Sequence, residues 1–208
     1  MTTRPVAVAA RIEPEDRARA NFYAVLSALY ADAPDARLLK SVGESERLPT
    51  GDEPLPLAIA WNRLADACLA MDPEAARQEY WDLFVGAGKS EVNLHASHWL
   101  SGFMMERPLV GLREDLGRLG LGRKADTSQV EDHLAAVCET MRLLVEGGGG
   151  RPPAEVAEQA AFFRDHVDSW VPALCAALAQ TPLANFYRTV GEFTDTFVAI
   201  ERDAFAID

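Results

Sequence analysis

No stretch of the sequence approaches the roughly 18 consecutive apolar residues that a membrane-spanning helix requires. The short apolar run near the start, residues 6–10, is followed at once by Arg11 and Glu13, too short for the apolar region of a secretory leader. The cytoplasm is the expected location. Cysteine is scarce as well: Cys68, Cys138 and Cys175 are odd in number, widely spaced and without a C-x-x-C pair, which excludes a disulfide framework and a cysteine metal site. Three reduced, buried thiols are expected. Positive charge is the third shortage, with 20 Lys and Arg against 32 Asp and Glu and a formal net charge of -12. Such a surface repels phosphate backbones, so nucleic acid is not a partner, and a cationic partner would complement it.

Catalytic and nucleotide-binding patterns are missing too. There is no G-x-S-x-G elbow and no Walker or dinucleotide loop. Gly86-Ala87-Gly88-Lys89-Ser90 looks like the end of a P-loop, but Leu83 stands where the leading glycine is needed, and a helix rather than a strand precedes it. No alternating run demands a strand, and no segment repeats.

What is present is ordinary globular composition, 49% hydrophobic and 25% charged, in 208 residues. A chain of this length buries roughly 70% of its unfolded surface, enough for one domain. Apolar residues recur at helical spacing over 15–30 (Phe22, Val25, Leu26, Leu29), with a short helix over 36–42 and another over 57–71. Asp72-Pro73 predicts a helix starting at Pro73, capped by Asp72, carrying Tyr80 and Phe84 and ending where Gly86 and Gly88 supply stop signals. Further helices are expected over 95–105 and 108–119. Ser128-x-x-Glu131 predicts a capping box and a helix bearing Asp132 and His133, with Val130, Leu134, Val137, Met141 and Leu144 as its apolar stripe. Gly147 to Gly150 and Arg151-Pro152-Pro153 form a flexible hinge over 147–153, between a main lobe over about 15–146 and a C-terminal lobe over 154–208. In that lobe Val156, Phe163, Val167 and Trp170 mark one helix face, Pro172 forces a kink or a restart, and 183–205 forms the last helix. The fold class is all-α, a bundle-like single domain.

Two constellations could carry function. Asp132, Glu139 and Glu146 recur every seven residues and would line one helix side, either solvated or offered to Arg or Lys of a partner. The aromatic group Tyr80, Trp81, Phe84 and Trp99 is either core or, where exposed, an anchor for an apolar peptide. A different class of function, a metal-dependent enzyme, would use His95, His98, Asp132 and His133, since imidazoles three apart lie on one helix side. Neither H-E-x-x-H nor paired Glu-x-x-His repeats accompany them.

Taken together, Tyr80-x-x-Leu83-Phe84-x-Gly86, Asp132-His133-Leu134 with Glu139 and Met141, and Phe163-x-x-His166-x-x-x-Trp170 followed by Phe186-Tyr187 resemble the TorD/DmsD family of redox-enzyme maturation chaperones. The resemblance covers roughly residues 15–197. It implies an all-helical, non-catalytic cytoplasmic protein with no cofactor of its own. Its partners would be a molybdoenzyme catalytic subunit and that subunit's twin-arginine leader peptide, held until the molybdopterin cofactor is inserted. It further implies that Trp81, Leu83, Phe84, Asp132 and His133 bind the leader, and that His166, Phe163 and Trp170 support the C-terminal lobe. Asn93-Leu94-His95-Ala96-Ser97 departs from the proline-rich loop usual in the family. The client is therefore open between a soluble formate dehydrogenase type and a dimethyl sulfoxide or trimethylamine N-oxide reductase. A monomer and a domain-swapped homodimer are both compatible with the glycine run.

Overall fold

A computed structural model describes residues 12–207, except 52, 54, 103–106, 123–128 and 149. Ser128 of the expected capping box and Met105 of the expected helix over 95–105 lie outside the described residues.

Helix α1 (Pro14–Ala31) starts with proline in its first turn, where a missing N–H leaves no bond unmade, and buries Phe22, Tyr23, Leu26, Leu29 and Tyr30. Helix α2 (Ala36–Gly43) opens on Asp35, which accepts from Leu38 N, and α3 (Pro56–Ala70) follows. Helix α4 (Pro73–Tyr80) opens on Asp72, which accepts from Glu74 N and Ala75 N at 3.0 Å each, as the sequence predicts. Its continuation is not α-helical. Residues Trp81–Val85 form a π turn, closed by Gly86 N donating to Trp81 O at 2.7 Å. Gly86 has φ +63°, and a Cβ there would lie 2.2 Å from Lys89 O, so only glycine fits the stop.

Next come α5 (Ala96–Ser101), α6 (Arg107–Arg118), α7 (Leu134–Glu146) and α8 (Val156–Phe163). The single face expected over 156–170 is interrupted by a second π turn (Arg164–Asp168) before α9 (Val171–Gln180) and α10 (Phe186–Phe205). Phe163, Val167 and Trp170 are buried as expected, whereas Val156 is exposed. No strand occurs among the described residues, and the all-α class holds. Among them, no helix is long and apolar enough to cross a membrane.

The core is continuous. Helix α1 packs along α7, and α10 packs against both α3 and α9. Phe22 of α1 sits at the crossing, its ring 5.1 Å from Trp61, 5.3 Å from Phe193 and 5.5 Å from Phe197. Leu134, Val137, Met141 and Leu144 turn inward as the periodicity requires, while Val130 precedes the helix and is half-buried. All three cysteines are free and buried, and burial pushes the Cys68 and Cys138 thiols up to about 12.

A helix leaves its last four carbonyls without intrahelical partners. At the end of α1, three of them are met by side chains from distant parts of the chain. Tyr187 Oη donates to Leu29 O at 2.8 Å, Tyr80 Oη to Tyr30 O at 3.2 Å, and Gln129 Nε2 to Ala31 O at 2.6 Å. The start of α10 receives the opposite treatment. The buried carboxylate of Glu79 accepts from the backbone N–H groups of Asn185, Phe186 and Tyr187 at 2.8, 3.0 and 2.8 Å, an anion at the positive end of a helix dipole.

After α7 the chain turns sharply. Gly147 N donates to Leu143 O, Gly148 and Arg151 exchange two backbone hydrogen bonds, and Ala154 N donates to Leu144 O. Arg151 also donates to Leu119 O at the end of α6. On the C-terminal side His166 Nε2 lies 2.6 Å from Asp115 Oδ2 of α6, and Trp170 Nε1 donates to His166 O at 2.7 Å.

Candidate functional site

Trp81 is 53% exposed although it follows the buried Tyr80 and stands two residues before Leu83, which is 0% exposed. The π turn is the local cause. Its wider spacing keeps Leu83 in the core while Trp81 and Val85, four residues apart, both remain open to solvent. Phe84 is half-buried and held by three rings, 5.1 Å from Tyr80, 4.8 Å from Tyr187 and 6.1 Å from Tyr30. The platform beneath Trp81 is therefore fixed from α1, α4 and α10 at once. An exposed indole on rigid footing loses little conformational freedom when a ligand covers it.

The segment following the glycines runs beside this platform. Val92 N donates to Leu83 O at 2.9 Å, and Trp99 Nε1 donates to Asn93 O at 2.9 Å. Two further bonds tie the same segment to the start of α7, Leu134 N to Leu94 O at 2.8 Å and Ala96 N to Asp132 O at 3.0 Å. Residues 92–97 thus bridge Leu83 to Asp132 and His133, so the structure joins the two halves of the predicted set through backbone.

Asp132 and His133 are not on a helix. Helix α7 begins at Leu134; Asp132 lies in the preceding turn, and His133 is the extended N-cap whose Nδ1 accepts from Ala135 N at 3.2 Å. The predicted helix start is corrected accordingly: α7 begins at Leu134, and the His133 imidazole caps it. Asp132, 1% exposed, accepts from Ser97 N at 3.1 Å and Ser97 Oγ at 2.5 Å. It is no member of an acidic face. Glu139 and Glu146 do share a side, but Arg142 bridges them, so the expected acidic wall is largely neutralised within the chain.

The His95 and His133 rings meet edge to face with centroids 5.0 Å apart, across an isolated bridge pairing of the two residues. Burial pushes the His133 imidazole down to about 4, with the neighbouring His95 adding to the effect; burial also lowers His95. Both shifts favour the neutral ring. The metal-site alternative is not favoured: His133 Nδ1 accepts from Ala135 N, Asp132 Oδ2 is taken by Ser97, and the His98 ring lies edge-on against Trp99 at 5.4 Å. Among the described residues no group of three or more His, Cys, Asp or Glu side chains could hold a metal ion.

Sequence reasoning missed Ser97, Glu79 and Gln129. Nothing in local periodicity marks a residue whose partner lies 35, 106 or 98 positions away.

Residues 51–176 match the family profile described as nitrate reductase delta subunit. The chain is 30% identical to a chaperone protein TorD of Shewanella amazonensis over 149 residues, 67% of this chain and 61% of the relative. Its identity to a chaperone protein TorD of Aliivibrio fischeri is 24% over 130 residues, 59% of this chain and 60% of the relative. It therefore spans about three fifths of the length of the relatives it matches. A crystal structure described as that of a redox enzyme maturation protein from Archaeoglobus fulgidus superposes with a TM-score of 0.52 at 16% identity, covering 98% of this chain and 99% of that one. The profile spans more than half of the chain, and the chain belongs to the nitrate reductase delta subunit family, the TorD-like redox-enzyme maturation chaperones.

Proposed function

We propose that this chain is a non-catalytic cytoplasmic chaperone that binds the leader peptide and the apo-form of a molybdopterin-containing oxidoreductase subunit until its cofactor is inserted. The observation that carries the reading is the exposed Trp81 on a platform otherwise locked into the core. Solvent-exposed aromatic anchors on rigid supports are the usual centres of peptide binding. In this reading Trp81 touches the client, and Leu83 and Phe84 hold it in place. Asp132 and His133 are positioning residues that fix segment 92–97 beside it. Covering about 400 Å² of apolar client surface contributes on the order of 10 kcal/mol, against association costs of roughly 4 to 15 kcal/mol. Net affinity is then moderate and reversible, as release to a finished enzyme requires. The acidic surface adds orientation toward a basic leader, with exposed pairs worth only about 0–1 kcal/mol each.

The test is isolation of the untagged protein from its native cytoplasm, with mass spectrometry of what co-purifies, beside the Trp81→Ala variant. A molybdoenzyme large subunit with an uncleaved leader, retained by the wild type and lost by the variant, is the expected result. Absence of that subunit while it is being expressed would reject the reading, and equal retention by Trp81→Ala would reject the site.

A further inference from the structure

Helix α10 is capped from a distance. Asn185 stands at its N-cap, a residue type that commonly caps a helix with its own side chain, yet that side chain makes no cap bond. The buried Glu79, 106 positions earlier than Asn185, meets three of the waiting N–H groups instead. A local cap would satisfy α10 without joining it to anything. The distant one ties α10 to the last turn of α4, and that turn runs directly into the exposed indole.

The tie belongs to a closed circuit around Trp81. The Trp81 N–H donates to Arg77 O and Gln78 O, so its backbone continues the turn that bears Glu79. Glu79 holds the Tyr187 N–H, and the ring of that same tyrosine packs on Phe84 with centroids 4.8 Å apart. Phe84 in turn lies within the π turn that Gly86 N closes onto Trp81 O. Such turns are rare and occur mostly singly, frequently at functional sites. On the far side of the turn Glu91 reaches the same corner, accepting from Thr181 Oγ1 at 3.2 Å. Glu91 is exposed and takes this bond from a neutral hydroxyl, whereas the buried Glu79 takes three at the positive end of a helix dipole. Glu79 is the stronger hold.

We infer that Glu79 is a positioning residue for Trp81: by gripping the first residues of α10, its carboxylate fixes the register of the aromatic turn and with it the place of the indole. The consequence for binding rests on the reading of Trp81 as the client contact. A carboxylate suits this task and an amide does not. Glutamine offers one acceptor oxygen and turns its NH2 toward N–H groups, leaving a donor of α10 unmet. Without the tie, Tyr187 and Phe84 are free to part, and the indole samples a wider range of positions. Ordering it on a client then costs more.

The test separates the cap from the tie. Glu79→Gln removes both, and Glu79→Gln combined with Asn185→Asp returns a carboxylate to the α10 terminus without returning its link to α4. The full-length protein is labelled with 5-fluorotryptophan, and the Trp81 line is assigned by Trp81→Phe. Fluorine spectra are read beside thermal melts and beside recovery of the oxidoreductase subunit from native cytoplasm. In Glu79→Gln the Trp81 line should shift and broaden while the lines of the buried Trp61 and Trp170 hold still. The double variant should regain most of the lost melting temperature and keep the displaced Trp81 line. Client recovery should fall several-fold in both variants. A Trp81 line that stays at its wild-type position in Glu79→Gln would overturn the inference. So would a double variant in which line and recovery return together with stability, since Glu79 would then be a cap and nothing more. Should Glu79→Gln fail to fold, the position of the Trp81 line in the double variant decides. A wild type that recovers no client, with the Trp81 line displaced in both variants, would uphold the tie and reject the client reading.

Discussion

Replacing Asp132 with alanine should destabilise the protein severely, although the motif containing it looks like a binding signature. The carboxylate accepts two hydrogen bonds from Ser97, one from the amide and one from the hydroxyl, and Ser97 is itself 0% exposed. Alanine would leave both donors buried without a partner, at about 1–3 kcal/mol each. A total of about 4 kcal/mol is then reasonable, and at roughly 2–4 °C per kcal/mol for a chain of this size the melting temperature should fall by on the order of 10 °C. Asp132→Asn keeps one acceptor and the shape, and should lose about a third as much. Thermal melts followed by circular dichroism, with Ser97→Ala and the double variant completing a cycle, measure the coupling directly. The double variant should be more stable than Asp132→Ala alone, because the buried hydroxyl is gone. An Asp132→Ala protein that melts within about 2 °C of the wild type, while losing client affinity, would refute the positioning role and make Asp132 a contact residue.

His133 should make the protein acid-sensitive. Its folded-state imidazole titrates near 4 rather than 6.5, so the unfolded chain takes up a proton first as pH falls. Stability present above pH 6.5 should therefore be lost progressively down to about 4, by on the order of 3 kcal/mol from this group. His133→Asn keeps an N-cap acceptor but cannot titrate, and denaturant unfolding across that window should show a flatter pH dependence. Glu79→Gln removes the charge from the α10 terminus and should lower the melting temperature by a few degrees, about 1–2 kcal/mol, without changing helical content at 25 °C. Arg19→Met strips the buried Glu201 of a partner at 2.7 Å and leaves it Tyr23 alone, so a loss of about 3–5 kcal/mol in urea unfolding is expected.

Much of the architecture was legible because each signal was local. Pro14, Asp72-Pro73, Gly86 and Pro172 punctuate the helices where expected, and the Leu134–Leu144 stripe turns into the core. The errors have a common origin. Whether the helix following Tyr80 continues as α or widens into a π turn depends on Phe84 reaching Tyr187 and Tyr30, which no window around residue 80 contains. The start of α7 lies later than Ser128-x-x-Glu131 predicts, because a capping box is a local pattern that takes no account of distant partners. The long-range bonds of Asp132 to Ala96 and Ser97 hold that turn open instead. Of the candidate residues, Trp81 looked like core by composition, and its exposure is a property of the assembled platform alone.

The end of α1 has a consequence for how the protein comes into being. Its last three carbonyls wait for Tyr80, Gln129 and Tyr187, so an element made early is completed by one made more than 150 residues later. While the chain is still emerging from a ribosome, the ledge that carries Trp81 has neither its Tyr187 wall nor a finished α1 below it. Competence should then arrive abruptly, once residue 187 is clear of the tunnel, and not by degrees as the helices appear. The exposed Trp81 would thus be without its finished support until the start of α10 had emerged.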